Sequence, residues 1–179
     1  MNLCYPHVML KGQDMLVLAA LLGQEGPPAT YSKLASSLGL SVSAAHRSIG
    51  ALRDAQLVDE SRAPQLAQVD EFLAHSIRYV FPPRMRGEAR GVATAWAAAP
   101  LRDLLAESGG IPLVWADPEG DVRGIDFEPL HPSASEVARR NPVLGEKLAL
   151  IDALRLNDAR VRELARRELH KRFLAPVAA

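Results

Sequence analysis

At 179 residues, with 48% apolar and 5% aromatic residues, the chain has room for one sizeable domain or two smaller ones. Its 21 lysines and arginines balance 21 aspartates and glutamates, so no overall basic charge points to nucleic acid. The single cysteine, Cys4, excludes an intrachain disulfide and fits a reducing, cytoplasmic setting. Cys4 and His7 form a lone Cys-x-x-His without the second pair that a zinc site requires.

Residues 12 to 24 read as a first helix, and its run Met15 to Leu22 is apolar on all sides. Asp14 at its front and a length too short for a bilayer mark it as a buried helix, with no membrane span or signal peptide. Gly26-Pro27-Pro28 closes it. Thr30 caps a second helix carrying Leu34, Ala35 and Leu38, and Gly39 suits the left-handed turn that ends it. Ser41 caps a third helix, on which Val42, Ala45, Ile49 and Leu52 share a face expected to be buried. Leu57-Val58 begins an extended segment, and any wing is shortened to Asp59 to Ala63. Residues 64 to 76 predict a fourth helix through Leu66, Val69, Phe72, Leu73 and Ile77.

Ile77 to Phe81 then reads as a strand stopped by Pro82-Pro83, and "PPRMRGEARG" as a loop without apolar period. Residues 93 to 107 favour helix, broken at Pro100, and Ser108-Gly-Gly110 is a turn. Pro112 to Trp115 and Val122 to Phe127 predict two strands joined as a hairpin by "ADPEGD". Residues 134 to 140 suit a short helix. Residues 143 to 156 and 158 to 173 read as a helical hairpin with Asn157 at the joint.

The stretch "LASSLGLSVSAAHRSIGALRDAQLV" carries Leu34-Ala35, Gly39, Ser41, Arg47, Leu52 and Leu57-Val58. With the helix before it, this pattern resembles the winged helix-turn-helix of MarR-type and related bacterial transcriptional regulators. The match covers roughly residues 10 to 62. The resemblance implies a DNA-binding domain over residues 1–80, followed by an α+β domain over 81–179 for dimerisation, partner or effector binding. The expected class is therefore mainly α with a small β component (α+β).

It also implies a recognition helix that presents Ser41, Val42, Ser43, His46, Arg47 and Gly50 to the major groove. Arg47 has the donors for a guanine edge or a phosphate, and Gly50 lets a backbone approach closely at about 1 kcal/mol of helix propensity. Thr30, Ser32, Lys33, Arg53, Arg62, Arg84, Arg86 and Arg90 are the candidate phosphate contacts. Residues 1 to 60 carry one net negative charge and residues 61 to 100 two net positive ones, so the later arginines are expected to complete the footprint.

Other chemistry is poorly supported. Asp117, Glu119, Asp121 and Glu128 approach calcium-loop spacing, but Val122 stands where the turn glycine belongs and Pro118 intrudes, favouring a charged turn. His46, His75, His131 and His170 lie in separate elements, and His75 reads as structural. No phosphate loop, nucleophile elbow or zinc-protease motif occurs, so neither catalysis nor a cofactor is expected. Trp96, Trp115, Tyr79 and Phe127 are either an effector site or core. Pairs Glu163–Arg167, Glu168–Arg172 and Asp158–Arg162 account for the C-terminal charge. The apolar hairpin beside them suggests a homodimer interface.

The expected function is operator binding by a homodimeric repressor on double-stranded DNA. The alternative is an antitoxin or protein-binding adaptor that regulates its own operon.

Overall fold

The computed structural model describes residues 9–24, 29–105 and 110–175. Cys4, His7, Gly26-Pro27-Pro28 and the Ser108-Gly109 part of the expected turn lie outside the described residues. The fold is mixed α+β. In chain order it comprises α1 (Gly12–Leu21), α2 (Tyr31–Leu38), α3 (Val42–Asp54), α4 (Leu66–His75), α5 (Ile77–Val80) and β1 (Met85–Ala93). A 3-10 turn (Ala95–Ala97), α6 (Leu101–Leu104), β2 (Leu113–Ala116), β3 (Val122–Phe127), α7 (Ala134–Arg140), α8 (Pro142–Arg155) and α9 (Ala159–Leu169) follow. A π-helical turn, His170–Leu174, ends the described chain.

Local capping chemistry sets most helix starts. The hydroxyl of Thr30 accepts from the Lys33 amide, Ser41 from Ala44, Asn141 from Leu144 and Asp158 from Val161. Gly39 ends α2 at φ 66°, a left-handed conformation that glycine adopts without strain. α1 is buried from Asp14 to Ala19 and again at Leu21, as its uniform hydrophobicity leads one to expect.

Between α5 and α6 the chain departs from the sequence expectations. Ile77–Val80 is a helical turn and not a strand, because Ile77 continues the fully buried Val69-Leu73 row of α4 at helical spacing. The expected loop after Pro83 is instead β1, whose residues 85–88 are exposed, so no inward–outward alternation marks it. The helix expected over 93–107 is reduced to the 3-10 turn and the short α6.

The expected hairpin is absent. β2 and β3 each pair antiparallel with β1, but they pair parallel with each other, at Leu113–Ile125 and Val114–Asp126. The three strands close into a small barrel. Closure requires glycine where backbones meet: a Cβ on Gly91 would lie 2.0 Å from the Trp115 carbonyl oxygen. A Cβ on Gly120 would lie 2.1 Å from the Gly91 carbonyl carbon.

α8 runs through the middle of the molecule, with Leu144 and every residue from Lys147 to Arg155 buried. It packs on α1, α4, α5, α7, α9 and the 3-10 turn. The apolar surface that suggested a dimer interface is thus covered within the chain. One cluster of buried apolar residues runs from Met15 on α1 to Leu174 beyond α9. Lys147 is 6% exposed, donates to the Leu22 carbonyl and lies 5.0 Å from the Phe173 ring; burial lowers its pKa.

The barrel is joined to α8 by a buried ion pair. Arg155 donates through Nη1 to Asp152 Oδ1 at 2.6 Å and to the Glu128 carbonyl at 3.2 Å. Its Nε donates to the Phe81 carbonyl at 2.9 Å, and its guanidinium lies 4.7 Å from the Phe127 ring. The Oδ2 atom of Asp152 accepts from Trp115 Nε1 at 2.7 Å and from the Thr94 hydroxyl at 3.0 Å. Burial raises the pKa of Asp152, while Arg155 and these donors oppose that rise. Trp115 and Phe127 are therefore core and not effector ligands; Trp96 is half-buried and Tyr79 exposed.

Asp152→Ala would leave the Arg155 charge buried without its counter-ion. It is expected to lower the unfolding free energy by about 3–5 kcal/mol, read from urea denaturation. A loss below about 1 kcal/mol, the scale of a surface pair, would refute a structural role for the network.

Candidate nucleic-acid interface

α2, the Gly39–Ser41 turn and α3 form a continuous unit, with α3 packed on α1 and α2. The inner face of α3 consists of Ala44, Ala45, Ser48, Ile49 and Leu52. Ser48 is satisfied by Gln13, whose side-chain amide donates to its hydroxyl at 2.9 Å. Val42 departs from the expected buried row: it is 51% exposed. It stands at the edge of that row on the first helical turn, where it is left open to solvent.

The outer face carries Ser41, Val42, Ser43, His46 and Arg47, all exposed, with half-buried Gly50 beside them. A Cβ added to Gly50 would meet nothing within 4 Å, so packing does not require glycine there. The Ser41 hydroxyl accepts from the Ala44 amide and is hydrogen-bonded to the Ser43 hydroxyl at 3.1 Å. Arg47 forms no ion pair or hydrogen bond with the described residues.

Thr30, Ser32 and Lys33 are exposed at the start of α2. Arg53 pairs with Glu60 at 3.1 Å. Arg62 is left-handed (φ 72°), donates to the Ala29 carbonyl at 2.9 Å and lies 4.8 Å from the Tyr31 ring. Tyr31 in turn meets His46 with ring centroids 4.9 Å apart. This Arg62–Tyr31–His46 stack locks the turn after α3 to both helices, a link that residue spacing alone did not suggest.

That turn spans the residues expected to form a shortened wing. Val58 and Pro64 form an isolated antiparallel bridge, and the Asp59 amide donates to the Ala63 carbonyl at 2.9 Å. The Asp59 carboxylate accepts from the Ser61 hydroxyl at 2.6 Å and the Ala63 amide at 2.9 Å. These donors hold its pKa below the ordinary 3.8, the Ser61 bond most strongly.

Arg84, Arg86 and Arg90 lie beside or within β1, and not on the expected loop. Arg84 and Arg86 approach Glu128 at 4.0 and 3.7 Å, and Arg90 donates to the Gly120 carbonyl at 2.6 Å. Two carboxylates of the calcium-like segment are likewise engaged, with Arg139 3.0 Å from both Asp117 and Glu119. His75 is exposed, contrary to its structural reading. Arg162 donates to the Leu156 carbonyl instead of pairing with Asp158, whereas the Glu168–Arg172 pair forms at 2.9 Å.

Among the described residues no group of three or more His, Cys, Asp or Glu side chains is arranged to hold a metal ion. No helix among them is long and apolar enough to cross a membrane. No protein-family model, curated protein or solved structure matches the chain.

Because the folded pKa of Asp59 is depressed, its contribution to the turn is complete above the unfolded value and lost as pH falls through the folded one. The Ala63 amide resonance is therefore expected to titrate with a midpoint below 3.8, and Asp59→Asn to abolish that titration. A midpoint at or above 3.8 would mean that the turn is open in solution.

Proposed function

We propose that the chain is a sequence-specific double-stranded-DNA-binding transcriptional regulator, a repressor, with α3 as its recognition helix. In this reading α1 to α3 and the 58–64 turn form a winged helix-turn-helix with a reduced wing. The observation that carries it is the division of α3 into two faces. One face is completely packed, while the other offers Val42, Ser43, His46, Arg47 and Gly50 with no fold-internal reason for Gly50. A helix mounted through its inner side and chemically varied on its outer side suits entry into the major groove.

Arg47 is the base-reading candidate, and Thr30, Ser32 and Lys33 approach phosphates from the start of α2. Arg62, against Ala29 and Tyr31, adds charge beside the start of α2, and Arg53 adds it near the end of α3. Arg84, Arg86 and Arg90 contribute long-range attraction, weakened by the partners they already have. The protein acts as a dimer on a two-fold operator, joined by a surface other than α8. The mechanism needs no covalent chemistry: groove reading and phosphate contacts suffice to occlude a promoter.

A second reading, an antitoxin or adaptor that binds a protein partner and regulates its own operon, is favoured by the pairing of Arg84 and Arg86 with Glu128, which thins the cationic footprint. A stable heteromeric complex on purification would discriminate in its favour.

Selection of bound duplexes from a random pool tests the main reading. On the selected duplex Arg47→Ala is expected to cost about 1–3 kcal/mol of binding at unchanged helicity. Gly50→Ala is expected to stabilise the free protein by about 0.5–1 kcal/mol while weakening duplex binding, since the new methyl occupies the approach surface. An enriched duplex bound equally by both variants would remove α3 from the groove.

A further inference from the structure

We propose that Val42 reads the C5-methyl group of a thymine in the operator half-site, beside a guanine read by Arg47. The proposal rests on the recognition-helix reading above and extends it to the identity of a base. Val42 is the large apolar side chain that the described part of α2 and α3 leaves exposed, at 51%. It is the first residue of α3, and first-turn side chains are the ones that reach base edges when a recognition helix enters the major groove.

Its neighbours narrow what it can read. The Ser41 hydroxyl accepts from the Ala44 amide and shares one hydrogen bond with the Ser43 hydroxyl, which leaves one proton of the pair for a phosphate or a base edge. The two methyls of Val42 are the apolar part of the outward chemistry of that turn. A β-branched side chain in a helix holds essentially one χ1 rotamer, so these methyls are positioned before DNA arrives. In the major groove the thymine C5-methyl is the apolar group that a duplex offers, whereas the remaining edges present donors and acceptors. A valine against those polar edges would strip their water without replacing its hydrogen bonds. Arg47, five residues on and unpaired among the described residues, supplies donors for the O6 and N7 atoms of guanine.

The test replaces thymine by deoxyuridine, position by position, in the duplex selected by the full-length protein. This removes one methyl and preserves base pairing. At one thymine per half-site the replacement is expected to weaken wild-type binding about fourfold, the scale of one buried methyl group. Val42→Ala should bind the thymine and deoxyuridine duplexes equally and match the wild type on deoxyuridine to within about twofold. Circular dichroism checks that the variant keeps its helices.

A selected duplex in which no deoxyuridine weakens the wild type would overturn the thymine assignment and leave the recognition-helix reading standing. Equal methyl sensitivity in wild type and Val42→Ala would assign the methyl contact to another residue. Failure to enrich any duplex would overturn both readings together.

Discussion

An ion pair without access to water sets the relation between the small barrel and the helices. Desolvating Asp152 and Arg155 is costly, and the cost is offset only when every donor and acceptor finds a partner. The partners come from separate places: carbonyls at Phe81 and Glu128, the Thr94 hydroxyl and the Trp115 indole. A shift of the barrel by a bond length would break several of these contacts together. A barrel of three strands, two of them only four and six residues long, has little apolar area with which to dock. Directional bonds to α8 therefore select one placement from the many that hydrophobic contact would tolerate.

The same helix supports the opposite side of the molecule. α8 packs on α1, and α1 packs on α3. The inner side of α3 is thus held by a helix that is itself buried all round, with Gln13 satisfying the one polar side chain, Ser48, enclosed there. The outer side of α3 inherits its orientation from this stack. The Arg62–Tyr31–His46 contacts add a second restraint, at the start of α2 and the turn after α3. If α3 reads DNA as proposed, this rigidity matters, because base contacts tolerate little displacement.

Legibility in the sequence followed the range of the interactions. Caps at Thr30 and Ser41 act over three residues, so the starts of α2 and α3 were readable from those residues alone. The caps at Asn141 and Asp158 went unassigned in a helical hairpin read over 143–156 and 158–173. The parallel pairing of β2 and β3 was not readable, since it depends on close backbone approach at Gly124, where a Cβ would lie 2.1 Å from the Pro112 carbonyl oxygen. β1 escaped because an exposed strand end carries no alternation, and α5 because strand-forming residues were drawn into the buried row of α4. The outer stripe of α3 was visible in the spacing, but periodicity assigned Val42 inward without knowing where the neighbouring helices stop. The buried pair left one overlooked signal: an aspartate and an arginine three residues apart in "LALIDALR", a segment with no polar face to receive them.

Charge balance bears on how a regulator of the proposed kind would discriminate. Non-specific affinity comes almost wholly from phosphate contacts and rises steeply with their number. A footprint in which Arg53, Arg84 and Arg86 already face carboxylates keeps that background small. Specificity is a ratio, so a weak background leaves more of the total binding to groove contacts, where Arg47 and the first turn of α3 lie. Under this reading the neutral overall charge counts in favour of sequence selectivity: the protein would dwell little on random DNA, and its occupancy of an operator would be decided by a few side chains on one helix.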